Sequence, residues 1–310
     1  RLLRQEVVDE ILANRAAAFT AEGGCATRRP IRSPLARALT WIALALLLLS
    51  ALYLRLDNLR SVQHFGADNG RDYLVLMEWG KNGHWPLLGT QRVTGDFTIG
   101  PGWFYTLAPA VMLSGDDPAA GAATIGVLGV LGILLAFYWI RRAAHSNLAA
   151  LAAAALLSWA VGWVEMQRTS WNPHPLVFGM LAATTLIHEA RRRPLPCLGL
   201  YSILLLILPQ WHTTGWLIVS VSIPFFAWNF WRGRDRLRAA SGRARRLWAL
   251  AVATVFLLLY VPPVIHDLTR EPKNLVSYFG NSLPLGKHEQ GRPWSARLAD
   301  AAEGLSRDAA

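Results

Sequence analysis

Gly100-Pro101-Gly102-Trp103-Phe104-Tyr105-Thr106-Leu107-Ala108-Pro109-Ala110-Val111-Met112-Leu113-Ser114 is the stretch on which the topology turns. It is apolar, yet short of the ~20 residues that cross a ~30 Å hydrocarbon core, and Pro101 and Pro109 interrupt it. Around it lie longer apolar runs at residues 38–56, 119–140, 147–164, 173–187, 196–209, 214–231 and 247–264, each a candidate membrane span. Arginines cluster between these runs. Arg28, Arg29, Arg32 and Arg37 precede the first, and Arg141-Arg142, Arg191-Arg192-Arg193 and the series from Arg232 to Arg246 follow later ones. If 100–114 crossed the bilayer, the three later clusters would face away from the N-terminal arginines. If it does not, all four share one side, which is what the excess of basic residues in cytoplasmic loops demands. The segment therefore reads as a juxtamembrane or re-entrant helix. About seven spans remain, and the N-terminus is cytoplasmic.

Composition agrees with that class. Of 310 residues, 53% are hydrophobic and 16% charged, against about 25% charged in soluble domains. The expected fold is an all-α polytopic membrane protein of the plasma (inner) membrane, with juxtamembrane helices in a long first external loop. It divides into a cytoplasmic polar segment (1–37), a transmembrane domain (38–264) with the external loop at 57–118, and an external segment (265–310). The net charge of +11 falls in the inter-span clusters, so cytoplasmic-loop charge, and not nucleic-acid binding, is its reading. The fourteen Trp suit interfacial belts. Cys25 and Cys197 have no metal-ligand spacing and are not expected to pair. Residues 1–18 could form a modest helix, and no signal peptide with a cleavage site is visible. The chain opens on Arg1 and ends in a polar stretch, so a piece of a longer protein is expected.

With that topology the polar chemistry collects on the non-cytoplasmic face. His64-Phe65-Gly66-Ala67-Asp68-Asn69-Gly70-Arg71-Asp72-Tyr73 follows the first span. On a helix, Asp68 and Asp72 share a face and flank Arg71. A carboxylate beside a guanidinium stays ionised and can take a proton from a bound hydroxyl. The plainer alternative is a solvated helix start capped by Asp68. Glu165, Gln167, Arg168, Trp171, Asn172 and His174 populate the second external turn. Arg168 could bind a phosphate through paired hydrogen bonds, or anchor at the interface with Trp163 and Trp171. Gln210-Trp211-His212 closes a third turn, where His212 could be a ligand, a proton donor to a leaving phosphate, or a turn residue. His174, His212 and His266 leave a divalent metal open, without the close spacing that would assign ligands. No other cofactor motif is present, whether P-loop, dinucleotide glycine pattern or nucleophile elbow.

The motif Phe65-Gly66-x-Asp68-x-Gly70-Arg71-Asp72, then Gly83 and Gly89, then Ile99-Gly100-Pro101-Gly102-Trp103-Phe104-Tyr105 with Pro109 and Gly115, resembles the first external loop of GT-C membrane glycosyltransferases. The resemblance is to the family 39-like group of protein O-mannosyltransferase, aminoarabinose transferase and lipopolysaccharide galacturonosyltransferase type. Trp171-Asn172-Pro173-x-Pro175, Leu208-Pro209-Gln210-Trp211-His212 and Val261-Pro262-Pro263 with His266-Asp267-Leu268 are similar to later landmarks of that group, in the same order. The similarity covers residues 38–275 and implies a polyprenyl-phosphate-linked sugar donor, used on the non-cytoplasmic side.

It also implies that Asp68, at the position of the family's base, deprotonates an acceptor hydroxyl for one inverting displacement. Asp72 and Arg71 would shape the acceptor side. Arg168, with His212 or Asn172 in support, would meet the leaving phosphate, and Gln210 is a further candidate substrate-binding residue. Asn69 stands where the family has Glu, and Asp72 where Tyr is common, which leaves the acceptor (glycan, lipid or protein) and metal dependence open. Two other classes compete. A transporter or lipid flippase would need polar residues inside the spans, and those interiors are Ala, Leu and Val. A non-catalytic assembly subunit of the membrane would leave the external motif unexplained.

Overall fold

The computed structural model describes residues 34–90, 98–270 and 274. The polar N-terminal stretch with Cys25, the helix expected over 1–18 and the tail beyond Asn274 lie outside the described residues. The chain divides into two compact units, Arg1–Ala43 and Leu44–Ala310. The described part of the first is the opening turns of α1 (Pro34–Leu56). Every other element described belongs to the second.

All regular structure among the described residues is helical. After α1 come α2 (Leu59–Val62), α3 (Ala67–Asn82), α4 (Gly102–Leu113), α5 (Pro118–Ala143) and α6 (Asn147–Trp159). The order continues with α7 (Val161–Met166), α8 (Leu176–Ala190), α9 (Pro194–Trp211), α10 (Gly215–Arg232), α11 (Arg234–Arg238) and α12 (Gly242–Thr269). Four of them, α1, α5, α9 and α12, are long and apolar enough to cross a membrane. Their ends follow local chemistry. Asp117 accepts from the Ala119 amide at 3.0 Å at the start of α5, and Ser241 from the Ala244 amide at 3.2 Å at the start of α12. Such caps satisfy amides that have no partner within the helix. Arg141 and Arg142 sit in the last turn of α5, where the helix dipole favours cations.

The stretch 100–114 forms α4, which starts after Pro101 and carries Pro109 inside it. Trp103, Phe104, Leu107, Ala108 and Val111 are buried, because α4 packs between α3, α5 and α9. Its apolar character serves the protein core. Helix α5 packs against α6 and α8, α8 against α9 and α10, and α9 against α12. Within the second unit, Leu44 and Ala51 of α1 share a buried cluster with Ile133 and Phe137 of α5 and Ala150 and Ala154 of α6.

One expected span is divided. The run 147–164 breaks at Ala160, whose φ of −62° and ψ of 109° are extended, so α6 ends and α7 begins anew. Ala160 is neither Gly nor Pro, though Gly162 follows in the first turn of α7. The Arg55 side chain is fully buried at the end of α1 and donates to the carbonyls of Leu157 (3.0 Å) and Ser158 (3.1 Å). Those are acceptors that a continuous helix would have given to residues 161 and 162. Arg55 also donates to Ala51 O at 3.0 Å and, through Nε, to Gln167 Oε1. Gln167 in turn lies on Gly129 of α5, where a Cβ would stand 2.0 Å from its Oε1.

The two ends of the helices differ in character. At one, Glu189 takes both Arg142 and Arg192 at 3.3 Å, and Arg236 donates to Arg192 O at 3.3 Å, so three arginine clusters meet. At the other, the loop after α1, the turn after α7, the turn after α9 and the end of α12 are tied together by the bonds described next.

Candidate active site

Gly66 caps α3 in extended conformation. Its amide donates to Asn69 Oδ1 at 3.1 Å, which closes the first turn. The other end of the Asn69 side chain donates to Ser170 O at 2.9 Å. One buried amide therefore joins the start of α3 to the segment after α7. Gly66 holds the cap, so Asp68 in the first turn does not serve as the cap.

Asp68 and Asp72 share Arg71 and differ in environment. Arg71 donates through Nη1 to Asp68 Oδ1 at 3.1 Å. Through Nε and Nη2 it donates to Asp72 Oδ1 at 3.0 and 2.8 Å. The Asp72 side chain is 5% exposed, the Asp68 side chain 48%. Trp103 of α4 donates its indole N–H to the second oxygen of Asp72 at 2.8 Å. Burial pushes the Asp72 carboxyl above its ordinary range, and the hydrogen bonds from Arg71 and Trp103 pull the other way. Asp72 thus stands as the interior anchor of Arg71, while Asp68 looks outward.

It looks into a cleft of about 450 Å³, with His64, Asp68 and Asn69 on one side and Thr169, Trp171 and His174 on the other. His174, buried, reaches Thr169 O through Nδ1 at 3.3 Å, and its amide donates to Trp171 O at 3.0 Å. The Trp171 ring meets the His174 ring edge-on, with centroids 5.2 Å apart. The far wall is therefore a turn held by its own histidine.

The other residues singled out from sequence lie around this cleft, not in its lining. Arg168 precedes Thr169 and donates through Nη2 to Asp57 O, while its buried Nε has no partner among the described residues. Asn172 donates to Trp211 O at 3.0 Å and to Thr90 Oγ1 at 3.2 Å. Gln210 is buried and accepts from the Gly102 amide at 3.3 Å. A Cβ at Gly100 would stand 1.9 Å from Gln210 Oε1, so any side chain there would displace the Gln210 amide. His212 turns Nδ1 to the Thr214 hydroxyl at 2.8 Å and the Thr214 amide at 3.2 Å. Asp267 accepts from the Asn274 amide at 2.9 Å, and Asn274 Oδ1 accepts from the Thr98 amide at 2.7 Å. Asn172, Gln210 and Asn274 thus join the loops that surround the site. His174, His212 and His266 belong to separate arrangements, and no group of three or more His, Cys, Asp or Glu able to hold a metal forms among the described residues.

Sequence reasoning did not identify Trp103, His64 and Thr169 as site residues, nor Arg55 as a structural node. A lone arginine in an apolar run was a usable signal for Arg55. Trp103 gave none, because its partner lies in another helix. Comparison of the chain with protein-family models, with curated proteins and with solved structures finds no match.

Proposed function

We propose that the chain is a membrane glycosyltransferase of the GT-C kind, moving a sugar from a polyprenyl-phosphate carrier to an acceptor hydroxyl on the non-cytoplasmic face of the plasma membrane. The observation that carries this is Asp68: a half-exposed carboxylate in a cleft, held at one oxygen by an arginine that buried Asp72 and Trp103 keep in place. The chain crosses the bilayer about seven times, through α1, α5, the α6–α7 pair, α8, α9, α10 and α12, with the N-terminus cytoplasmic. The shorter helices complete the bundle and α4 stays outside the count.

In the reaction, Asp68 takes the proton of the acceptor hydroxyl. The oxygen forms its bond to the anomeric carbon as the bond from that carbon to the phosphate oxygen breaks. The electron pair leaves with polyprenyl phosphate, and configuration inverts. Arg168, next to the cleft wall and with an unpartnered Nε among the described residues, offsets the charge growing on the phosphate, usually the larger energetic contribution in such transfers. Transport is less well supported. Arg55, a buried cation in a span, donates to fixed backbone and amide acceptors among the described residues.

The test is release of polyprenyl phosphate by the protein in detergent, supplied with radiolabelled polyprenyl-phosphate sugars. Asp68→Asn is expected to lower release by ~10²-fold or more. Undiminished release by a folded Asp68→Asn protein would remove Asp68 as the base.

A further inference from the structure

The cleft beside Asp68 has two walls of opposite chemistry. On the far wall, Trp171 is 45% exposed. An exposed Trp on the convex surface of a membrane protein is an interfacial anchor, but this one lines a concavity whose lining also includes Asp68. Its ring meets buried His174 edge-on and offers an aromatic face at the cleft. The near wall carries Asp68 and exposed His64, whose ring lies over Gly66, with Nε2 3.4 Å from where a Cβ would be. The Thr169 and Asn69 polar groups complete the lining.

We propose that this cleft binds a pyranose ring, so that the acceptor is a carbohydrate hydroxyl; the proposal rests on the glycosyl-transfer reading of the same site. A pyranose matches both walls. Its C–H face carries the positive edge charge that an indole π face attracts, and its hydroxyl rim donates to a carboxylate and exchanges hydrogen bonds with imidazole. An aliphatic alcohol would leave Asp68, His64 and Thr169 facing apolar carbon, at the cost of desolvating them. The cleft volume of about 450 Å³ falls in the usual range for small ligands.

The experiment is saturation-transfer NMR on the detergent-solubilised protein, without donor, using the methyl α-pyranosides of glucose, mannose and galactose. Parallel samples contain N-acetylserine amide and octanol. Saturation of the ring C–H protons of at least one glycoside is expected, weakened about tenfold by Trp171→Ala and restored by Trp171→Phe, which keeps an aromatic face and controls for folding. Saturation of none of the glycosides, saturation unaffected by Trp171→Ala, or a stronger response from the serine amide or octanol would overturn the proposal. Should it be overturned while Asp68-dependent release of polyprenyl phosphate persists, the glycosyltransferase reading stands with another acceptor. Glycoside binding without release from any carrier would instead sink that reading and leave a carbohydrate site.

Discussion

Asp72 keeps its carboxylate in the interior because three N–H groups, two from Arg71 and one from Trp103, replace the water it has lost. Its upward shift fixes a pH dependence. The fold favours the protonated form, so the contribution of this group to stability is complete below the ordinary carboxylate range. It is lost as pH rises through the raised value. The clamp on Arg71 runs the other way, since it is complete only when Asp72 is ionised. If the chain transfers a sugar as proposed, ionisation of Asp72 contributes to the acid limb of kcat/KM. Trp103→Phe removes one bond to the ionised form and is expected to move that limb to higher pH; an unmoved limb in a folded variant would separate Asp72 from the site. The Arg71 pairing was legible in the sequence, because one partner is adjacent and the other three residues away on a helix. The Trp103 bond was not, since it spans 31 positions and depends on how α4 packs on α3.

Arg55 acts between elements. It fills the donor gap where α6 stops and α7 starts, and through Gln167 it reaches the segment that becomes the far wall of the cleft. Arg55→Met is expected to strand the carbonyls of Leu157 and Ser158 and the Gln167 amide oxygen, at about 1–3 kcal/mol for each buried unsatisfied group. A marked drop in Tm in detergent would register this. Gly129→Ala attacks the same node from the other side, pushing Gln167 away at a cost of about 1–3 kcal/mol. An unchanged Tm in both variants would mean that the node carries no stability. Residues 147–164 read as one span because the nearest helix breaker, Gly162, is a single glycine in an apolar run, which membrane helices commonly carry. The carbonyls freed at the end of α6 are taken up by an arginine roughly a hundred positions earlier in the chain, visible in the sequence only as an oddity.

At the scale of the whole molecule, hydrogen bonds donated by Asn69, Arg168 and Asn172 and accepted by Gln210 and Asn274 gather the loops at one end. The Glu189 pairs and the Arg236 bond gather three arginine clusters at the other. Hydropathy and arginine placement were enough to expect this separation, because both report directly on where a bilayer tolerates charge. They were not enough to place the cleft walls, which depend on long-range side-chain contacts. The claim on which site, donor and topology all depend is that the Asp68 end faces outward and the arginine end faces the cytoplasm. Single cysteines at Lys81, Glu165, Arg191 and Arg238, in a Cys25→Ser background that keeps buried Cys197, test it with a membrane-impermeant maleimide on intact spheroplasts. Labelling of Lys81→Cys and Glu165→Cys from outside is expected, with Arg191→Cys and Arg238→Cys reacting only after permeabilisation. Labelling of all four from the same side, or the reverse pattern, would contradict the topology and with it the proposed site of transfer.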